Sequence, residues 1–421
     1  MRTGVTLSRM KKKILIPLTV LAILTVVFSI HREAARTLTQ KELLGKKLFF
    51  DEALSDPEGM SCATCHDKRG GWAGPDSKIN KDTAVYPGIL KPRFSNRKPP
   101  TAAYSGFSPK LHREDDDDEG NFVGGLFFDG RATGWEIGDP LAEQAMGPFL
   151  NPLEQNLSAK KQLVEKIMEA DYASLFKEVF GQDSLSLEKV DQVYERAAIA
   201  IAAYERSFEL NPFNSSFDDF WRKTVKAGLD VDKITQKNMD QYKNMGLTDQ
   251  EVRGMMLFKT KGLCAECHIL DSEDGLPPLF TDFTYDNLGV PRNPRNPFYT
   301  QDKEINPLGD KWIDEGLGAF LRTTEKYKKY AVENIGKYKV PTLRNVDMRE
   351  SPDFVKSYMH NGYFTSLKDI VDFYNTRDLP ERKWPPSEVL VNINRDELGD
   401  LKLMDEEVDL IVLFLKTLSD H

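Results

Sequence analysis

The sequence predicts a mainly α protein: two related domains with long loops, preceded by an N-terminal signal or signal-anchor segment. Three observations carry this expectation. Apolar residues recur at helix-face spacing in several stretches, while convincing strand alternation is missing. A G-x-x-L-F segment followed by C-x-x-C-H occurs twice, within residues 45–66 and 254–268. The stretches between helical segments are rich in Pro, Gly and Asn over lengths that usually wrap something or carry function.

Composition narrows the field. A chain of 421 residues has room for two or three domains. A hydrophobic fraction of 40%, with 24 Phe and 14 Tyr, supplies a packed core and excludes a disordered or fibrous protein. The net charge of −9 argues against general nucleic-acid binding, which needs a basic surface.

At the N-terminus, the basic run RMKKK (9–13) precedes the apolar run ILIPLTVLAILTVVFSI (14–30). That is the pattern of an export signal. No A-x-A cleavage site follows, and 17 apolar residues can just span a bilayer. Residues 1–30 are therefore either a removed signal peptide or a retained membrane anchor, and the rest of the chain lies outside the cytoplasm. Because residues 1–30 hold five basic and no acidic side chains, residues 31–421 carry a net −14. That charge serves solubility or favours encounter with a basic partner.

Helical periodicity is clear over 157–180, 190–208 and 405–418. The last has Val408, Ile411, Val412 and Leu415 on one face. The long loops are 68–100, 270–312 and 379–396, and the acidic run 115–119 reads as a solvated loop tip. The repeat divides the chain into an N-terminal domain (36–205), a linker or boundary region (206–245) and a C-terminal domain (246–421).

All four cysteines fall in the repeated motif, as Cys62-x-x-Cys65-His66 and Cys264-x-x-Cys267-His268. C-x-x-C-H is the attachment signature of a c-type haem. The two thiols add across the porphyrin vinyl groups, and the adjacent imidazole becomes an axial ligand to the iron. A thioredoxin-like redox pair would need a βαβ context, which is absent, and a four-thiol zinc site would leave His66 and His268 idle. Two covalently bound haems are the expected cofactors. Whether each iron keeps an open position decides between peroxide chemistry and electron transfer. No histidine lies between 67 and 111, so the first haem lacks a distal histidine in its own loop. Candidates for the sixth position of the second haem crowd one segment: Met348, Tyr358, Met359, His360 and Tyr363.

The chain resembles the bacterial di-haem cytochrome c peroxidases and their MauG-type relatives over residues 38–418. The resemblance rests on GKKLFFDEALSDPEGMSCATCH (45–66), FFDGRATGWEIGDPLAEQAMGPFLNPLE (127–154), GMMLFKTKGLCAECH (254–268), FTDFTYDNLGV (280–290), VPTLRNV (340–346) and YMHNGYFTSLKDIVDFYN (358–375). It implies two facing cytochrome-c-like domains, with the peroxidatic site on the N-terminal haem and electron transfer through the C-terminal one. It also implies Gln144 and Glu154 in the peroxide pocket, Glu154 as acid/base and Gln144 orienting the peroxide.

The sequence departs from the family pattern in three places. The distal histidine after the first motif is missing. Phe128 stands where a tryptophan usually lies between the haems. In Asn96-Arg97-Lys98-Pro99-Pro100-Thr101, Lys98 takes the place of the asparagine that holds the family's interhaem calcium, and Asn96 is displaced by two. Calcium through Asn96 stays open at this point. By resemblance, Met359 is the first choice for the sixth ligand of the second haem and Tyr358 the second.

Three functions follow from these readings. The first is a periplasmic peroxidase, soluble or tethered, that reduces hydrogen peroxide with electrons from a small cytochrome c or cupredoxin. The second is a MauG-like oxidase that uses peroxide to modify Trp or Tyr of a partner protein. The third is a non-enzymatic di-haem electron carrier. The family's common homodimer is a further expectation.

Overall fold

The computed structural model describes residues 36–114, 120–272 and 275–421. The expected export or anchor segment, residues 1–30, and the acidic run 115–119 lie outside the described residues. The described chain runs through α1 (Gln40–Phe50), α2 (Ser77–Asp82), β1 (His112–Arg113), β2 (Phe122–Val123), α3 (Pro140–Leu150), α4 (Lys160–Glu169), α5 (Ala173–Phe180), α6 (Val190–Glu205), α7 (Ser216–Lys226), α8 (Asp249–Lys259), β3 (Tyr285–Asp286), α9 (Gly316–Arg322), β4 (Tyr338–Lys339), α10 (Leu367–Thr376) and α11 (Asp405–Lys416). Among the described residues, strand is confined to two antiparallel pairs, β1 with β2 and β3 with β4. The expected mainly α class is what the chain adopts. No described helix is long and apolar enough to cross a membrane.

Each copy of G-x-x-L-F lies on a helix that begins with a reciprocal cap. Thr39 accepts from the Glu42 amide and Glu42 from the Thr39 amide at the start of α1. Thr248 and Glu251 do the same at α8. The glycine of the motif is where a second helix crosses. A Cβ on Gly45 would sit 1.8 Å from the Ala200 carbonyl oxygen of α6 and 2.9 Å from the Tyr204 Cβ. A Cβ on Gly254 would sit 2.0 Å from the Leu410 carbonyl oxygen of α11 and 3.0 Å from the Phe414 Cβ. Only hydrogen fits at either place. The motif's aromatic residue completes the crossing, Phe49 edge-on to Tyr204 at 5.4 Å and Phe258 edge-on to Phe414 at 5.3 Å. The sequence repeat is thus a repeated helix crossing, α1 on α6 and α8 on α11.

Periodicity over 157–180 is broken into α4 and α5 around Ala170–Tyr172, where the Tyr172 hydroxyl turns to donate to the Asp51 carboxylate. Residues 206–245 do more than connect. α7 and the segment after it place Phe217, Phe220, Trp221, Val231, Ile234 and Tyr242 in the same core as Phe258 and Phe414. The fully buried Arg344 donates to both carboxylate oxygens of Asp218 on α7, at 2.8 and 3.0 Å. Residues Thr39–His421 pack as one unit.

Candidate functional site

Each C-x-x-C-H is wound into a single tight turn. The His66 amide donates to the Cys62 carbonyl at 3.0 Å, and the His268 amide to the Cys264 carbonyl at 2.9 Å. Two thiols and an imidazole are thereby gathered on one turn of backbone. All four cysteines are free thiols. Burial pushes Cys65 and Cys264 up to about 12, so they stay protonated. His66 Nδ1 faces the Trp72 carbonyl at 3.3 Å, and His268 Nδ1 faces the Phe280 carbonyl at 2.8 Å. A carbonyl can only accept, so Nδ1 carries the proton and Nε2 keeps its lone pair. Burial lowers both imidazoles to about 4, which leaves them neutral at physiological pH.

One continuous cavity joins the two turns. His66, Gly71 and Gln144 line it from the N-terminal half, and Cys264, Cys267 and His268 from the C-terminal half. Phe128 lies along the same wall, so a phenyl ring stands where the resemblance expects indole. Of the five sixth-position candidates, Tyr358, Met359 and His360 line the cavity, whereas Met348 and Tyr363 do not. The Tyr358 hydroxyl is already engaged by Arg349 Nη2 at 3.3 Å. The His360 ring stacks on Tyr338 at 3.5 Å. Met359 is held at φ 65°, and its carbonyl accepts from the Gly362 amide at 3.4 Å.

Gln144 reaches the cavity from α3, which starts under the Asp139 cap with Pro140 in its first turn. Glu154 follows on the loop after α3. Its residue is partly exposed but its carboxyl is enclosed, accepting from Asn151 Nδ2 at 3.0 Å and from the Ser95 hydroxyl. Burial raises this carboxyl above the usual glutamate range, against the pull of Arg131, Asn151 and Ser95. Neighbouring Glu143 is spent on structure, accepting from the amides of Gly134, Glu136 and Ile137. Asn96 does not line the cavity.

Several cavity residues were not singled out from sequence. Glu205, the last residue of α6, is buried with Oε2 unpaired, and burial raises it to about 8. Its signal was present: Glu205 falls in register with the buried Ala198, Ile201 and Ala202. Lys98, Lys339 and Lys356 also line the cavity, and burial lowers them to about 8, 7 and 7. None of the three has a carboxylate partner among the described residues; their bonds go to backbone carbonyls.

The free thiols, the neutral imidazoles with Nε2 available and the shared apolar cavity fit two c-type haems, and the unpaired ammonium groups suit their propionates. Comparison with known proteins agrees. The di-haem cytochrome c peroxidase family profile matches residues 39–226. The methylamine utilization protein MauG of Paracoccus denitrificans is 32% identical, over 90% of this chain and 88% of that protein. The chain belongs to the di-haem cytochrome c peroxidase and MauG family. Cytochrome-c peroxidase IdrP1 of Denitromonas iodatirespirans is 26% identical over 90% of this chain and 81% of its own. The crystal structure of the diheme peroxidase BthA from Burkholderia thailandensis superposes with a TM-score of 0.71 at 30% identity, covering 91% of this chain and 87% of that one. The protein is therefore an oxidoreductase of a peroxidase family, with two c-type haems as its cofactors.

Proposed function

We propose that this chain is a periplasmic peroxidase that reduces hydrogen peroxide to water with electrons from a small cytochrome c or cupredoxin. Residues 36–205 carry the peroxidatic haem on His66, and residues 246–421 carry the electron-transfer haem on His268. The observation that supports this most is the enclosed Glu154 carboxyl, held by Asn151 and Ser95 and near enough to Cys65 for its charge to raise that thiol; Gln144 is on the cavity wall, whereas Glu154 is not.

Haem supplies, when bound, an iron centre at which the O–O bond can be cleaved by two electrons. The protein's own groups manage protons and position. Glu154 as carboxylate takes a proton from the bound peroxide and returns it to the departing oxygen, which leaves as water. The Gln144 amide orients the peroxide. Each turnover consumes two electrons and two protons from outside and releases two waters. With no histidine between 67 and 111, the first site needs no reductive opening. Of the two candidate sixth ligands for the second haem, Met359 is preferred because the Tyr358 hydroxyl is committed to Arg349.

The test is steady-state peroxide consumption by the haem-loaded protein with a reduced small cytochrome c, starting both from the diferric form and after partial reduction. Sustained donor oxidation from the diferric form is expected. A second reading draws on the 32% identity to MauG: an oxidase that withdraws electrons from Trp or Tyr of a partner protein. Negligible donor turnover, with a long-lived oxidised spectrum after peroxide, would favour it.

A further inference from the structure

Where the two halves meet beside the cavity, one buried guanidinium is paired with carboxylates and the neighbouring buried lysines are not. Arg97 donates to Asp314 through Nε and Nη2 and to Asp129 through Nη1, all at 2.7 Å. Arg131 adds a second cation to Asp129 at 2.8 Å. Arg131 is 45% exposed, so the enclosed part of this set is one guanidinium held between two carboxylates. The next residue, Lys98, is enclosed, and its ammonium has one hydrogen bond, to the Pro99 carbonyl at 2.8 Å. The Lys98 amide donates to the His360 carbonyl at 3.0 Å, which pins the backbone at this point. Lys356 feels the Lys98 charge and donates to the carbonyls of Gly70, Asn345 and Met348 at 2.8, 3.1 and 2.7 Å. Neither lysine hydrogen-bonds a carboxylate among the described residues, and burial pulls Lys98 to about 8 and Lys356 to about 7, so Lys98 keeps most of its charge at neutral pH and Lys356 about half.

This arrangement does not fit the calcium ion that the family resemblance implies. Lys98 stands at the place of the ligating amide, and an ammonium group has three donors and no lone pair. Calcium takes six to eight oxygens. Here the three carbonyls gathered around Lys356 already accept from its ammonium. Asn96, the displaced amide, is off the cavity, and its backbone carbonyl accepts from Asn296 Nδ2 at 2.8 Å. A divalent cation would also have to enter beside two ammonium groups away from water, where like charges repel strongly.

We propose that no calcium ion binds between the two haems of this chain, and that the ammonium groups of Lys98 and Lys356 provide the positive charge there as part of the covalent structure. Fixed positive charge beside the cavity favours the reduced state of whatever redox group it faces, so Lys98 acts on the haems as a positioning charge and not as a ligand.

The test uses the holoprotein and does not depend on which reaction it catalyses. Protein exchanged through calcium-containing buffer and desalted is analysed for metal, and its visible and electron-paramagnetic spectra are recorded before and after a calcium chelator. The expected result is iron without stoichiometric calcium, and spectra that the chelator leaves unchanged. Spectroelectrochemistry of K98M should then show a downward shift in haem midpoint potential, while K98R, which keeps the charge, should stay at the wild-type value. One calcium per chain with chelator-sensitive spectra would overturn the proposal. Potentials unmoved in K98M would overturn the role given to the charge. Should K98M fail to load haem, the wild-type metal analysis and the K98Q potential decide the two points.

Discussion

Two glutamates on and just after α3 show how surroundings divide identical side chains. Glu143 faces three backbone amides and caps a loop, whereas Glu154 faces Asn151 and Ser95 in an enclosed pocket. Under the proposed function, E154Q should lower the rate of peroxide cleavage by about 10²-fold or more, measured by stopped-flow on the diferric protein. Because burial raises the Glu154 carboxyl, the base form is lost on acidification sooner than for an ordinary glutamate. The acid limb of the wild-type rate profile should therefore lie above the usual glutamate pKa and vanish in E154Q. Glu205 makes a separate stability prediction. Its carboxyl titrates near 8 when folded and near 4.5 when unfolded, so the folded state holds the extra proton between those values. Its contribution is full below about pH 4.5 and is lost as pH rises through about 8. Wild-type urea midpoints should fall across this window and those of E205Q should fall less, with up to about 5 kcal/mol at stake. Individual roles were the least legible feature of the sequence. The C-x-x-C-H residues announce themselves by spacing, but Glu154 and Gln144 emerged only through family resemblance. Lys356 became visible only when folding enclosed it, since it belongs to no local motif, whereas Glu205 could have been noticed from its place on the apolar face of α6.

At the scale of elements, the two glycine-mediated crossings set the frame on which the attachment turns sit. G254A places a methyl group against the Leu410 carbonyl with no flexible side chain to yield. It should destabilise the protein by about 1–3 kcal/mol, read as a lower urea midpoint, with the C-terminal haem spectrum perturbed before the N-terminal one. The helices of these crossings were legible: α6 and α11 follow their 3.6-residue periodicity to within a turn. The division of α4 from α5 was not, because apolar spacing continues through the break and a distant partner, Asp51, sets the turn at Tyr172. The 206–245 segment looked like a connector because its aromatic residues lack a long periodic run. Their burial depends on α8 and α11, far away in sequence.

For the whole molecule, the fold class and the duplication could be read from the chain, since both rest on repeated local patterns. That the two halves share one cavity could not. It depends on pairings such as Arg97 with Asp314 and Tyr104 with Asp420, which no local pattern encodes. The net charge of −14 over residues 31–421 acts at this scale on approach and not on fold. Under the proposed function, kcat/KM with a basic cytochrome donor should fall steadily as ionic strength rises, because salt screens long-range attraction, while turnover with a neutral small-molecule donor should stay level. Lys356 adds a mechanical constraint. Its one ammonium group ties Gly70 of the first half to Asn345 and Met348 of the second, and Arg97 ties Asp129 to Asp314 across the same seam. Asn80 on the Val355 carbonyl and Tyr104 on Asp420 fasten the same seam at further places. Under the proposed function, charge passing from the His268 side to the His66 side crosses a gap held by all of these bonds, and the internal transfer rate after flash reduction should be the same in viscous glycerol solutions as in water.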